Sequence, residues 1–162
     1  MSDYHLAPIC TGMDTRVEIR QATVDDLHLL VPLFDAYRQF YRQPSEPERA
    51  WGFLLDRFGN NQSVVFLAFA DAVAIGFTQL YPSFSSGAMA RIFILNDLFV
   101  SPEARRRGAG RALLQAAADY GRRVRALRLV LSTEVTNTTA QALYKTAGWK
   151  RDLLFCSYQL TL

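Results

Sequence analysis

The sequence is poor in residues that hold metal ions and form disulfides. Its 162 residues include two cysteines, Cys10 and Cys156, and two histidines, His5 and His28. The cysteines stand far apart, so they give neither a disulfide framework nor a zinc-binding pattern, which is typical of a reducing compartment. Neither histidine has a carboxylate or cysteine at a useful spacing. We therefore expect no metal site and no histidine-based catalytic triad.

Long hydrophobic runs are also missing. The longest apolar stretch, Val64 to Phe77, is interrupted by Asp71 and falls short of the ~20 residues that a membrane span needs. Residues 1–15 lack the basic segment and apolar run of a signal peptide, and their aperiodic pattern predicts a loose tail. We expect a cytoplasmic protein in which residues 16–162 form a single domain.

Charge is present but unevenly distributed along the chain. The formal net charge is +3, yet residues 1–60 carry nine acids and six arginines, whereas residues 61–162 carry twelve basic residues and six acids. Eight of the sixteen arginines fall between Arg105 and Arg128. Because half of the arginines share one segment and the first third is acidic, we expect a local anion-binding site and no nucleic-acid partner.

The apolar periodicity predicts a mixed α/β domain with the element order β-α-α-β-β-β-α-β-α-β. Half of the residues are hydrophobic, so one core of ordinary size can form. The predicted elements are a strand at Val17–Ile19, helices that begin near Thr23 and Ser45, a hairpin of Val64–Ala70 and Val73–Tyr81, a loop at Pro82–Gly87, a strand at Arg91–Val100, a helix from Arg107, a strand at Leu127–Ser132, a helix at Asn137–Ala147 and a final strand at Leu154–Leu160.

The most informative segment joins a strand to a helix through arginines and glycines. After the strand residues Leu98–Val100 come three arginines, residues 105–107, and then Gly108-Ala109-Gly110. Glycines let the backbone approach a ligand, and the free N–H groups and dipole of a helix start favour an anion. Arginines add fork-shaped bonds to phosphate oxygens. Since Arg111 and Ala112 follow instead of Lys-Ser/Thr, we predict a phosphate-binding turn that is not a Walker loop.

Two motifs resemble those of the GNAT superfamily of N-acetyltransferases. Arg105-x-x-Gly108-x-Gly110 matches the family's Arg/Gln-x-x-Gly-x-Gly/Ala signature after a strand. Residues 137–149 resemble its Asn-x-x-Ala-x-x-Leu-Tyr-x-x-x-Gly-Phe/Tyr element. The resemblance covers roughly residues 17–161. It implies the GNAT fold, a mixed central sheet with splayed strands flanked by helices, and places the chain near polyamine- and thialysine-type acetyltransferases.

The resemblance implies acetyl-CoA as co-substrate, bound between the strands Arg91–Val100 and Leu127–Ser132. Backbone groups of Leu98 and Val100 would pair with the pantetheine arm, and the amides that follow would bind the pyrophosphate. Asn137 would contact the cofactor arm, although asparagine is also a preferred helix cap and the two roles can coexist. The implied cofactor-binding residues are Leu98, Phe99, Val100, Arg105, Arg106, Arg107, Gly108, Ala109, Gly110, Arg111 and Asn137.

The resemblance also assigns the chemistry. Tyr144 takes the position of the family's general acid, which protonates the departing thiolate. Similar enzymes carry a Glu-Asp pair where this chain has Asn96-Asp97. Asn96 cannot accept a proton, so Asp97 is the nearest candidate for the base or for a substrate contact. The alternatives are a water chain to Glu134, an acid of the first helices, or water alone, as in some members of the family.

The acceptor and the assembly are left more open. Acidic residues of the first two helices, with Tyr37, Tyr41 and Trp51 between them, suit a cationic amine. We expect an N-acetyltransferase acting on a small cationic amine or a lysine-like or peptide amine, as a homodimer, with no membrane partner. The alternative is a non-catalytic acyl-CoA-binding module, which the replacement of an acid by Asn96 favours.

Overall fold

A five-stranded sheet with helices on both faces forms the protein. The computed structural model describes residues 16–162. The strands are β1 (Glu18–Gln21), β2 (Val64–Ala70), β3 (Val73–Ser85), β4 (Ala90–Val100) and β5 (Leu129–Val130), and the helices are α1 (Leu27–Phe40), α2 (Pro47–Gly59), α3 (Ala109–Arg123) and α4 (Thr138–Thr146). The sheet order is β1-β2-β3-β4-β5, antiparallel except for the parallel β4–β5 pair. The predicted α/β fold class is confirmed. The predicted tail, residues 1–15, lies outside the described residues.

Alternation along the strands divides the buried residues into two layers. Phe77 and Phe99 pack with α1 and α2 on one face of the sheet. Leu80, Phe93 and Leu113 belong to the layer that includes α3 on the other face. Because side chains alternate in direction along each strand, the same strands contribute to both layers. Burial of each large apolar side chain contributes about 1.5–3 kcal/mol to the free energy of folding.

The start of α1 uses its acidic residues structurally. The backbone N–H of Thr23 donates to Asp26 Oδ2 at 2.8 Å. The Arg20 guanidinium donates hydrogen bonds to both carboxylate oxygens of Asp26, at 2.7 and 2.6 Å. The Arg20 hydrogen bonds are the main reason that the pKa of Asp26 falls to about 2. The predicted helix start near Thr23 is confirmed, with one short turn of 3-10 helix before α1.

The β2–β3 hairpin forms as predicted, but β3 runs further than expected. Asp71 and Ala72 form its turn with positive φ angles of 49° and 65°, the conformation that tight hairpin turns require. The predicted loop at Pro82–Gly87 is wrong in its first part, because β3 continues to Ser85 and pairs with β4. Pro82 is tolerated there because β2 pairs with β3 only as far as Leu80, which leaves that side of Pro82 without a strand neighbour.

Strands β4 and β5 separate soon after they meet. They pair only at Phe93–Leu129 and Ile94–Val130, so β4 residues 95–100 run on without a β5 partner. On its other side, β4 contains a β-bulge. The adjacent β3 residues Gln79 and Leu80 lie opposite Asp97 and Leu95, so Asn96 has no partner in β3 and is the extra residue of the bulge. The sheet therefore opens beside the predicted cofactor residues.

The predicted final strand, Leu154–Leu160, is wrong for the described chain. Residues 149–162 form no helix or strand. A strand needs a neighbour to supply ladder hydrogen bonds, and β5 is only two residues long. In addition, the Asp152 carboxylate accepts the N–H groups of Leu154 and Phe155 at 2.8 and 3.2 Å, which ties the backbone into a local turn.

Gly76 provides a test of how closely β3 and β4 approach. A Cβ atom at this position would lie 2.5 Å from the Phe99 carbonyl oxygen, so the β4 backbone would have to move. We expect Gly76→Ala to lower the free energy of unfolding by about 1–3 kcal/mol in urea denaturation.

The control is Gly52→Ala. Gly52 lies within α2, and its Cβ would meet nothing within 4 Å. Alanine should therefore stabilise the helix by about 0.5–1 kcal/mol. Equal effects of the two substitutions would contradict the close approach at Gly76.

Candidate active site

The open edge of β4 offers backbone groups to a ligand. The Ser101 N–H donates to the Ile75 carbonyl of β3 at 2.8 Å. Since backbone direction alternates along a strand, Val100 and Leu98 direct their N–H and C=O groups toward the β5 side, where the sheet is open. Phe99, predicted together with them, instead places its carbonyl against Gly76 of β3 and its ring in the α1-side core.

The turn before α3 has the backbone shape of an anion cradle. Gly108 is the N-cap of α3 and has a φ of 82°, which favours glycine. The first hydrogen bond of the helix runs from the Ala112 N–H to the Gly108 carbonyl at 3.0 Å. The N–H groups of Ala109, Gly110 and Arg111 precede that bond and are available to an anion beside the positive end of the helix dipole.

The arginines of this turn are exposed, and one of them is also tied to the scaffold. Arg105 Nε donates to the Val100 carbonyl at 3.1 Å, and its guanidinium lies 5.9 Å from the Phe40 ring centre. Arg106 has a positive φ of 64°. Arg107 and Arg111 are exposed like their neighbours, so the turn presents four guanidinium groups to solvent.

Helix α4 carries Asn137 at its start and Tyr144 in its last turn. Asn137 is the N-cap of α4, and its Oδ1 accepts the Ala140 N–H at 3.1 Å, which establishes the capping role. The Tyr144 side chain is half-buried, with its ring 6.3 Å from that of Trp149. Burial, followed by the effect of nearby Tyr41, raises the pKa of Tyr144, so this phenol keeps its proton in the neutral pH range.

A close contact between α3 and α4 holds the cradle against the tyrosine helix. A Cβ atom at Gly110 would lie 3.1 Å from the Leu143 side chain, which precedes Tyr144 in the chain. Glycine thus fits both the close packing of the two helices and the approach of an anion. The residues present fit a CoA pyrophosphate, because the cradle supplies free N–H groups and positive charge beside the open edge of β4.

Asp97 is a buried carboxylate beside this opening. It is 3% exposed, and its Oδ1 accepts the Asn96 Nδ2–H at 3.1 Å. Its Oδ2 has no hydrogen-bond partner among residues 16–162. Burial raises the pKa of Asp97 to about 6, against the opposing effects of Tyr37 and Asn96. Arg91, at the start of the same strand, forms no ion pair with Asp97, and its guanidinium lies over the Phe84 ring.

Tyrosines from several elements surround Asp97. The Tyr37 hydroxyl lies close enough to Asp97 to affect its pKa, although it donates a weak hydrogen bond to the Asn96 carbonyl at 3.5 Å. Burial is the main cause that raises the pKa of Tyr37, and it raises that of Tyr81 to about 12. Burial also raises the pKa of Tyr41, with Glu134 and Asp97 adding to the effect. The result is a carboxylate enclosed by neutral hydroxyl groups.

The other acidic residues of the first two helices do not join this cluster. Asp35 accepts the Ser45 hydroxyl at 2.6 Å and the Glu46 N–H at 2.8 Å, and these bonds fix the start of α2. Glu46 pairs with Arg38 at 2.6 Å. Trp51 is exposed on α2. Of the aromatic residues expected to contact a cationic amine, Tyr37 and Tyr41 are therefore the ones that the structure places beside Asp97.

Sequence reasoning missed Gln79. This residue is fully buried in β3, its Nε2 donates to the Tyr81 hydroxyl at 3.0 Å, and its Oε1 has no partner in the described part of the chain. The available signal was a glutamine, preceded by Thr78, in an otherwise apolar strand.

The described residues, 16–162, offer neither a metal-binding cluster nor a membrane-spanning helix. They contain no group of three or more histidine, cysteine, aspartate or glutamate side chains that could hold a metal ion. Nor is any helix in this range long and apolar enough to cross a membrane.

Comparison with known proteins gives a consistent assignment. Residues 30–149 match the Acetyltransferase (GNAT) family. The uncharacterized N-acetyltransferase YhfO of Bacillus subtilis (strain 168) is 48% identical over 146 residues, 90% of this chain and 98% of that protein. A probable acetyltransferase of Haemophilus influenzae is 39% identical over 106 residues, 65% of this chain and 73% of that protein.

Solved structures agree with this assignment. The crystal structure of a probable acetyltransferase superposes with a TM-score of 0.85 at 44% identity, covering 90% of this chain and 97% of that one. Aminoglycoside N-acetyltransferase AAC(6')-Iy in complex with CoA gives a TM-score of 0.77 at 20% identity, with 91% and 97% covered, and shows the shared fold. The protein therefore belongs to the acetyltransferase (GNAT) family and is an N-acetyltransferase with acetyl-CoA as its co-substrate.

Proposed function

We propose that the enzyme acetylates a primary amine by direct attack in a ternary complex, with Asp97 as the base and Tyr144 as the acid. The observation that carries the proposal is the buried Asp97 carboxylate with an unpartnered oxygen, enclosed by tyrosines beside the open end of β4. A base with a pKa of about 6 is ionised at neutral pH and can still accept a proton.

The proposed step balances as follows. The acceptor enters as an ammonium ion and loses one proton to Asp97, and the resulting amine attacks the thioester carbonyl carbon. A C–N bond forms, the C–S bond breaks, and Tyr144 gives its proton to the departing thiolate. The nitrogen then releases a second proton, which restores the Tyr144 hydroxyl. The products are an amide, CoA thiol and one proton, which leaves Asp97 for solvent.

The cofactor is proposed to bind across the opening between β4 and β5. The backbone of Leu98 and Val100 would hold the pantetheine arm, and the N–H groups at Gly108–Arg111 would hold the pyrophosphate, with support from the Arg105–Arg107 side chains. Asn137 can contact the arm through its Nδ2 group, because its cap uses only Oδ1. These assignments rest on the direction of the backbone and on the free N–H groups of α3.

The acceptor is proposed to be a small cationic amine or a lysine-like or peptide amine. Electron-rich faces of Tyr37 and Tyr41 next to the Asp97 charge favour a cation. Several structural neighbours act on aminoglycosides, and one is a ribosomal-protein-alanine N-acetyltransferase. Those chains are at most 22% identical to this one, so their likeness in fold does not choose among amines.

Tyr144→Phe tests the proposed acid. Without the hydroxyl, the thiolate must depart unprotonated, so kcat should fall about 10²–10⁴-fold, the range typical of general acid catalysis. The affinity for acetyl-CoA, measured by calorimetry, should stay within twofold. Thiol release should be followed with a panel of polyamines, lysine analogues and basic peptides.

The matched control is Tyr120→Phe, because the Tyr120 ring packs against Phe66 and Phe93 on the α3 side of the sheet, outside the candidate site, and its hydroxyl should contribute nothing to turnover. Unchanged kcat in Tyr144→Phe would contradict the assignment of Tyr144 as the acid. No thiol release by the wild-type enzyme with any acceptor would favour the acyl-CoA-binding alternative instead.

The pH profile tests the proposed base. Because the pKa of Asp97 is raised to about 6, the carboxyl group is protonated and inactive as a base below that pH. We expect kcat/KM to fall as the pH drops through about 6, and Asp97→Asn to lower kcat/KM and abolish this step. The exposed Asp56→Asn should keep it. An Asp97→Asn enzyme with wild-type activity would rule out Asp97.

The proposal extends to a homodimer. Its support is an uncovered apolar segment at the C-terminal end of the described chain. Six large side chains there are each at least 80% exposed: Leu153, Leu154, Phe155, Tyr158, Leu160 and Leu162. Monomeric proteins rarely expose so continuous an apolar surface, and a second copy of the chain is proposed to cover it.

Removal of residues 151–162 tests this assembly. We expect the full chain to elute as a dimer in size-exclusion chromatography with light scattering, and the shortened chain as a monomer. A full-length chain that stays monomeric at tens of micromolar would contradict the proposal.

A further inference from the structure

Two buried oxygen atoms without hydrogen-bond partners lie on facing residues of β3 and β4. Gln79 and Asp97 are directly opposite each other in the strand register, at the last pair before the bulge. Gln79 is 0% exposed and Asp97 is 3% exposed. Gln79 Oε1 and Asp97 Oδ2 both lack a hydrogen bond of good geometry among the described residues, although the Tyr37 hydroxyl lies close enough to Asp97 to lower its pKa. Buried polar atoms nearly always have a partner, so this pair needs an explanation.

The strand pattern places both side chains on one face of the sheet. Gln79 follows Phe77 by two positions, Asp97 precedes Phe99 by two, and both phenylalanines pack into the α1-side core. The other polar atom of each side chain already forms a hydrogen bond. Gln79 Nε2 donates to the Tyr81 hydroxyl at 3.0 Å, and Asp97 Oδ1 accepts from Asn96 Nδ2 at 3.1 Å. Directly opposite residues on one face of a sheet have neighbouring side chains, so the two remaining oxygens belong to adjacent side chains.

We infer that Gln79 is a positioning residue whose Oε1 accepts a hydrogen bond from the protonated Oδ2 of Asp97. The step rests on the proposed function. When the acceptor ammonium gives a proton to Asp97 Oδ2, an N–H bond breaks and an O–H bond forms, and this O–H donates to Gln79 Oε1. The proton later leaves Asp97 for solvent, and the carboxylate is restored. One proton between the two oxygens satisfies both of them, so the buried pair needs no additional donor.

The same arrangement disfavours the ionised form of Asp97. In that form two electron-rich oxygens lie on facing positions with no donor between them, and a hydrogen bond made only by the neutral acid raises its pKa. This direction agrees with the effect of burial. The pair therefore keeps the base able to hold a proton for the duration of the transfer instead of releasing it at once.

No other group near Asp97 supplies an opposing positive charge within residues 16–162. None of the ion pairs in this range includes Asp97. The titratable groups that interact with it or with its neighbours are Tyr37 of α1, Tyr41 just after α1, Tyr81 of β3, Tyr144 of α4 and the exposed Glu134. Arg57 of α2 acts on Tyr81. The four tyrosines are neutral in the neutral pH range because their pKa values are raised.

The test is a direct titration of Asp97 in the free enzyme by carboxyl ¹³C NMR, with Asp97→Asn to assign its signal. Gln79→Met keeps the side-chain length and removes the oxygen. We expect it to lower the pKa of Asp97 by about one unit, which is a tenfold loss of proton affinity. The control Leu80→Met alters the adjacent buried residue on the other face of the sheet and should leave the pKa unchanged.

Tyr81→Phe provides a second variant that keeps Gln79. It removes the partner of Nε2, so the amide can turn and donate to Asp97, and the pKa of Asp97 should again fall. A pKa that rises or stays unchanged in Gln79→Met would overturn the inference, because a rise means that the amide donates to the carboxylate. The NMR measurement does not depend on turnover. An Asp97→Asn enzyme with full activity would therefore refute the proposed base without affecting this result.

Discussion

The early separation of β4 from β5 is the constraint on which the rest of the site depends. Only two residue pairs join these parallel strands, and β4 then continues for six residues with one edge unpaired. Backbone N–H and C=O groups rarely stay without partners, so an unpaired edge inside a sheet is suited to a ligand that can take the place of a strand. The close fit of Gly76 against Phe99 on the other edge holds β4 in position from the β3 side.

Burial of Asp97 follows from the same strand. At the Asn96 bulge, the odd-numbered side chains of β4 switch from the α3 side of the sheet to the α1 side. Asp97 therefore lies among Tyr37, Tyr81 and Gln79 instead of in solvent. A carboxylate in such surroundings has a raised pKa, and neutral tyrosines can stabilise a cation without neutralising the carboxylate. Asp26 and Glu46, at the starts of the first helices, instead have lowered pKa values, because Arg20 binds Asp26 and Arg38 binds Glu46.

Local sequence signals predicted most of the fold, and non-local pairing accounts for the errors. Cap residues and apolar spacing predicted α1 to α4 within a few residues, and the glycines at Gly108–Gly110 predicted the turn that begins α3. The extension of β3 through Pro82 and the absence of a strand at Leu154–Leu160 both depend on which neighbour a segment meets, which composition does not encode. Gln79 was missed for the same reason, since its importance comes from the register that sets it opposite Asp97.

Direct attack of the amine on the thioester requires that both substrates be bound at the same time. Initial rates of thiol release, measured over a grid of acetyl-CoA and amine concentrations, test this requirement. Double-reciprocal lines should intersect, because both substrates must be bound before either product leaves. Parallel lines, the pattern of an acetylated enzyme intermediate, would contradict it.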